Sequence, residues 1–230
     1  MKKSVQVILE VVLAIVCVVL AVAIVRSINK PVYFNKQKAY RESIGIQRLK
    51  DIRTLQVAYK TVNGKFNGSV DSLINFYNTG NMSVVLQIGS QDDSLAVVHT
   101  QAIKRKNRKI TPAQLYELYQ KGDHNLVFSI ESKVPVKDTL FNDRPDLVLD
   151  SLKYIPFSGG ELVEMEAVVK TVSGVPVPLF EARMPYKLLL KGLDNQLRIN
   201  LDADQRAKNR FEGLQVGSVT APNNNAGNWE

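Results

Sequence analysis

Val5-Gln6-Val7-Ile8-Leu9-Glu10-Val11-Val12-Leu13-Ala14-Ile15-Val16-Cys17-Val18-Val19-Leu20-Ala21-Val22-Ala23-Ile24-Val25 is the stretch that decides the architecture of this chain. Read as a helix at roughly 1.5 Å per residue it covers ~31 Å, the thickness of a hydrocarbon core. Its backbone amides satisfy one another, which a bilayer requires. A helix inside a soluble protein is rarely apolar on every face over such a length. A cleaved signal peptide is the main rival: Lys2-Lys3 gives it a basic start and Ala21-Val22-Ala23 a small-x-small site, but its apolar region is normally shorter. A lipoprotein needs a small residue before its cysteine, and Val16 precedes Cys17. The reading adopted is an uncleaved anchor over residues 1–30.

Glu10 lies inside the run, with Gln6 one turn earlier. A carboxylate at that depth is costly unless it finds a partner, becomes protonated or reaches the headgroup boundary. A polar contact with a neighbouring helix and a boundary position on a tilted helix are equally compatible with it. Basic residues flank both ends: Lys2 and Lys3 before, and Arg26, Lys30, Lys36, Lys38 and Arg41 after. Counted literally, the positive-inside rule places the larger domain in the cytoplasm.

Beyond the anchor, the sequence reads as α+β, with helices first and strands second. Pro31 should break or kink the chain. Asn35–Val62 follows as a helical stem with Leu49, Ile52, Leu55, Tyr59 and Val62 on one stripe. That stripe either packs on the domain's own sheet or pairs with another chain. Asn63-Gly64 stops the helix. A short helix carrying Leu73, Ile74 and Phe76 closes at Gly80, a further helix is expected within Asn81–Gln87, and Asp92–Gln101 is left open. Thr111-Pro112-Ala113-Gln114 starts a helix that ends at Gly122.

From Asn125 the period changes to two. Strands are expected from Val127-Phe128, over Leu152–Phe157, and as a hairpin of Glu161–Val172 with Val175–Met184 turned at Ser173-Gly174. Pro176 and Pro178 place the second hairpin strand at an edge. Leu197–Leu201 is a last expected strand, with a short helix or turn over Asp204–Arg210. The divisions are an anchor to residue 30, a helical stem and lobe over 31–122, a β-rich lobe over 123–221 and a loose Asn- and Gly-rich tail over 222–230.

The chain has 230 residues, 45% hydrophobic and 23% charged, so the part outside the anchor is long enough for a full core. Its net charge of +8 suits an anionic partner. Lys104-Arg105-Lys106-Asn107-Arg108-Lys109 is the densest basic run; no aromatic residues interleave it, so nucleic acid is not favoured over lipid headgroups or a protein. Cys17 is the single cysteine, which rules out an intramolecular disulfide. His99 and His124 match no metal pattern, and no phosphate loop, dinucleotide fingerprint or nucleophile elbow occurs. Asp202 and Asp204 lack a glycine-bearing calcium loop. No catalytic, metal or cofactor site is expected.

The order of features resembles a type IV pilin or a type II secretion pseudopilin. Glu10 in Gln6-Val7-Ile8-Leu9-Glu10 is similar in placement to the glutamate of their apolar helix. Leu55-Gln56-Val57-Ala58-Tyr59-Lys60, followed by Gly64, Phe66 and Leu73, resembles the segment where their first helix meets the globular head. Val5 stands where their processing site has a small residue, and Phe66-Asn67 replaces Tyr-Pro. Leu49-Lys50-Asp51-Ile52-Arg53-Thr54 and Asn225-Ala226-Gly227-Asn228-Trp229-Glu230 also resemble an uncharacterised family of single-pass proteins from Bacteroidota. These likenesses imply a bacterial inner membrane, a periplasmic domain and partners within an envelope assembly, further copies of the chain included. The expectation is thus a non-enzymatic assembly component, with a tethered module for an anionic ligand as the alternative.

Overall fold

A computed structural model of the chain describes Lys3–Glu230, with side chains from Leu9 onward; Lys2 and the side chains of Lys3 and Gln6 lie outside the described residues. The fold is α+β: one long helix, then shorter helices and two small antiparallel sheets. The first helix, α1, runs unbroken over Lys3–Asn63. Pro31 therefore does not end it, contrary to expectation. The proline removes the amide that would reach the carbonyl of Ser27, a loss confined to one turn. Packing resumes at once, with Phe34 buried and the Lys30 ammonium 2.6 Å from Asp194. At the far end Gly64, at φ 72°, stops the helix as expected.

The chain divides into two compact units that interleave in sequence. The first comprises residues up to Gln56, Lys65–Val70 and Val148–Glu230. Its sheet joins β3 (Glu164–Val172), β4 (Val175–Pro185) and β5 (Gly213–Gly217) in that order, all antiparallel. Ser173 and Gly174 turn the β3–β4 hairpin with φ of 52° and 83°, the pair of positive values that a two-residue type I′ turn needs. β4 is the central strand, not an edge strand. Its prolines are nevertheless accommodated as the physics demands, because β5 pairs only with Glu181–Pro185. Pro176 and Pro178 face β3 on one side and no strand on the other.

α1 lies against this sheet. A Cβ on Gly45 would come within 2.7 Å of Leu214 Cδ1 on β5, so the glycine permits close approach. The Gln56 amide reaches Met165 on β3 at 3.3 Å and accepts from the Asn67 amide at 3.0 Å. Phe66 packs on Phe180 of β4, with ring centres 4.8 Å apart. Three arginines on α1 donate to backbone carbonyls far along the chain: Arg41 to Leu189 and Lys191, Arg48 to Ser151 and Tyr154, and Arg53 to Asn225.

Two expected strands of this unit take other forms. Leu152–Phe157 becomes a 3-10 turn over Leu149–Lys153 followed by a single bridge, Tyr154 to Leu162. Pro156 lacks an amide, and Phe157 at φ 62° turns the chain out of an extended path. Leu197–Leu201 belongs to a helix, α6 (Asn195–Ala207), preceded by the short α5 (Tyr186–Leu189). Asp194 caps α6 by accepting the Leu197 amide at 2.9 Å. Leu193, Leu197 and Leu201 are half-buried while Ile199 is exposed, so burial follows the four-residue helical spacing rather than the alternation. The tail is not loose: Gly227 bridges Val216, Asn228 exchanges bonds with Gln215 and Gly213, and Glu230 meets Arg53 at 2.8 Å. Its asparagines act as substitute backbone donors and acceptors.

The second unit comprises Val57–Gly64 and Asp71–Leu147. β1 (Asn81–Ile88) pairs antiparallel with β2 (Phe128–Pro135), where a helix was expected for Asn81–Gln87. The β-branched pair Val84-Val85 suits a strand, and the ladder comes from a partner distant in sequence. α2 (Val70–Thr79) precedes them, and α3 (Ser94–Lys106) fills the segment that the sequence left open, capped by Asp93. α4 (Pro112–Gln120) has the expected capping box. Two apolar clusters hold the unit: Ala58, Phe76 and Val136, and Leu115, Leu126 and Phe128.

Leu49, Ile52 and Leu55 have no exposed surface. We predict that Ile52→Ala or Leu55→Ala lowers the stability of the protein by about 2–5 kcal/mol in urea titration, whereas Val62→Ala, at an exposed position, changes it by no more than about 0.5 kcal/mol. An interaction stripe left exposed for another chain would make all three changes small.

Candidate functional site

Every residue of α1 from Leu9 to Lys30 is exposed, on all faces of the helix. None of its aliphatic side chains finds cover in the chain, while the same helix is buried in the first unit from Phe34 onward. The helix is long and apolar enough to cross a membrane once, a property that a signal sequence shares. Glu10 is exposed on it and makes no ion pair among the described residues. Cys17 is a free, exposed thiol on the same segment.

The stripe proposed for helix pairing does not form a surface. Leu49, Ile52 and Leu55 are core residues of the first unit; Tyr59 packs in the second unit, edge-on to Phe76 at 5.2 Å; only Val62 stays exposed. The sequence signal was an apolar period, and the domain's own sheet uses it.

The basic run does form a surface. Lys104, Arg105 and Lys106 occupy the last turn of α3, where positive charge is favoured by the helix dipole, and Arg108 and Lys109 follow in the loop. All five are exposed, and none forms an ion pair among the described residues.

Other titratable groups are tied into the fold. His99 Nε2 lies 2.9 Å from Asp123, and His124 packs edge-on to Tyr119 at 4.9 Å. Among the described residues no three histidine, cysteine or acidic side chains cluster to hold a metal ion. Glu164 and Glu166 are exposed on β3, and Glu164 pairs with Arg183 at 3.4 Å. Asp204 pairs with Lys208 at 2.6 Å on α6, so Asp202 and Asp204 sit on a helix and not in a ligand loop.

A buried polar seam joins α1 to α5 and α6, and the sequence reading missed it. The Tyr186 hydroxyl donates to Glu42 at 2.5 Å, and Lys38 meets Glu42 at 3.2 Å. Burial, and then the Glu42 carboxylate, push the Tyr186 phenol far above its usual range. Asp202 pairs with Arg198, and burial raises its carboxyl above the ordinary range. The Tyr186–Glu42 contact spans 144 positions, so no local pattern announces it.

Comparison with known protein families, with curated proteins and with solved structures finds no match to this chain. What the fold and its surfaces define is an α+β protein on one long apolar N-terminal helix, a single membrane span or a signal sequence.

Asp194 links that helix to the body of the first unit. The Lys30 hydrogen bond, and then the Leu197 amide, hold its carboxyl below the usual carboxylate range. A depressed folded value means that ionised Asp194 stabilises the folded state at neutral pH, and that this contribution is lost as pH falls through the ordinary carboxylate range. Asp194→Asn keeps a capping oxygen and removes the ion pair. We predict that it lowers the melting temperature at pH 7 and flattens the acid limb of a melting-temperature profile, measured from pH 7 to 3.

Proposed function

We propose that this chain is a membrane-anchored, non-enzymatic component of a bacterial envelope assembly, with α1 as an uncleaved inner-membrane anchor and the two units in the periplasm. The observation that carries the reading is the continuity of α1. Its apolar half has no cover in the chain, and its second half is the spine of the folded body. A signal peptide is normally followed by a segment that a peptidase can extend; here the small-x-small site lies inside an unbroken helix. The layout, a helix half free and half laid on an antiparallel sheet, also accords with the pilin and pseudopilin resemblance. The basic residues after the span, which by count favour a cytoplasmic body, weigh less against a periplasmic one. Lys30, Lys38 and Arg41 are engaged within the first unit, so their presence has a structural reason besides orientation.

Since Leu49, Ile52 and Leu55 are buried, partner contacts fall to the membrane helix with Glu10 and Cys17 and to the exposed surfaces of the body. Mass measurement of the protein from membranes, with protease accessibility of a C-terminal tag in spheroplasts, tests the anchor. The expected outcome is a full-length chain whose tag is digested from outside. Oxidative crosslinking through Cys17 tests the assembly: we predict trapped oligomers or partners that Glu10→Ala weakens. A full-length chain that stays monomeric and uncrosslinked rejects it.

The second reading is a tethered module for an anionic ligand, a lipid headgroup or a cell-wall polymer, favoured by the five unpaired cations at Lys104–Lys109. Replacing them with glutamine then weakens binding to anionic vesicles or cell-wall material and leaves Cys17 crosslinking intact.

A further inference from the structure

The apolar run ends at Val25, and the residues just beyond it are arranged along one side of α1. Ala23, Arg26, Ser27, Asn29, Lys30 and Tyr33, all on this one helix, line a shallow, open hollow of about 610 Å³. Small side chains at Ala23 and Ser27, one turn apart, make the hollow. Arg26, Asn29 and Lys30 bring donors to it, and Tyr33 adds a hydroxyl on an exposed ring.

Depth decides what such a hollow meets. Arg26 to Lys30 extend about 1.5–7.5 Å past Val25 at 1.5 Å per residue. A headgroup layer is roughly 5–7 Å thick on each side of the hydrocarbon. Ala23 thus lies at acyl-chain level, and Arg26, Asn29 and Lys30 at phosphate level. A guanidinium takes a phosphate through two parallel hydrogen bonds, whereas Tyr33, about 12 Å past Val25, lies beyond the headgroup layer. Arg26 forms no ion pair among the described residues. Lys30 is engaged by Asp194 from outside the hollow, so among the described residues the charge of Arg26 is the one left for a ligand.

We propose that this face binds the phosphate of an anionic phospholipid, with Arg26 as the main contact, Asn29 as a further donor and Ala23 seating the start of an acyl chain. The inference rests on α1 remaining as an anchor. A lipid held there would fix the depth of the span and, through the Lys30–Asp194 pair, the start of α6.

The test uses the full-length chain in detergent micelles, titrated with phosphatidylglycerol or phosphatidylcholine and read by native mass spectrometry. Arg26→Gln leaves the Lys30–Asp194 pair in place, so the fold is preserved. It should weaken phosphatidylglycerol binding about fivefold, the effect of one basic residue at an anionic surface, and leave phosphatidylcholine binding unchanged. The double variant Lys104→Gln/Lys106→Gln should bind like the parent. Equal binding of the two lipids by the parent, or an Arg26→Gln variant that retains its phosphatidylglycerol, overturns the inference, as does a loss that follows Lys104 and Lys106 instead. Cleavage of the chain near Ala23 in cells overturns the anchor reading and takes this inference with it; an uncleaved chain with an indifferent Arg26→Gln overturns this inference alone.

Discussion

The structure depends on one constraint: a single helix is apolar and uncovered in its first half and packed in its second. From Leu9 to Asn29 every residue of α1 is exposed, and such an aliphatic surface favours an apolar surrounding. The half that begins at Phe34 carries buried Leu49, Ile52 and Leu55 and requires the protein's own sheet. Pro31 stands between the two and leaves the helix unbroken.

Charge is used in the same economical way. The net charge of +8 suggested a sticky cationic surface, yet part of it is internal to the fold. Arg41, Arg48 and Arg53, spaced along one helix, donate to main-chain carbonyls of segments from Ser151 to Asn225. A guanidinium suits this task because its planar fork supplies several donors from one position. These contacts close the long excursions of the chain onto α1, and a burial penalty accompanies them, as the lowered basicity of Arg48 records. Part of the formal charge is therefore tied up inside the fold, while the run at Lys104–Lys109 and Arg26 stay exposed.

Two carboxylates show how the first unit is fastened at its extremes. Asp194 meets Lys30 near the membrane end of α1, and Glu230 meets Arg53 near its far end. Both are held below the usual carboxylate range chiefly by hydrogen bonds from their basic partners. The C-terminal residue is thus an integral part of the packing, and the Asn-rich segment before it serves as a partial strand along β5.

The sequence by itself determined whatever rests on local chemistry. Composition revealed the apolar helix, because twenty or so aliphatic residues have few other solutions. Positive φ at Ser173 and Gly174 and the Thr111 capping box were legible, because a turn and a cap are made by adjacent residues. Tertiary structure alone decided the rest. β1 became a strand through a partner 40 to 54 positions away, and Leu197–Leu201 became part of a helix whose first turn Asp194 caps. The stripe on α1 was visible as a period, but a period states only that a face is apolar. Whether that face meets its own sheet or another chain depends on long-range packing, which pattern along the chain does not encode. The surfaces at Arg26 and at Lys104 were likewise visible as charge; that they stay unpaired, while their neighbours Lys30 and Arg41 do not, was settled by where the distant carboxylates and carbonyls came to rest.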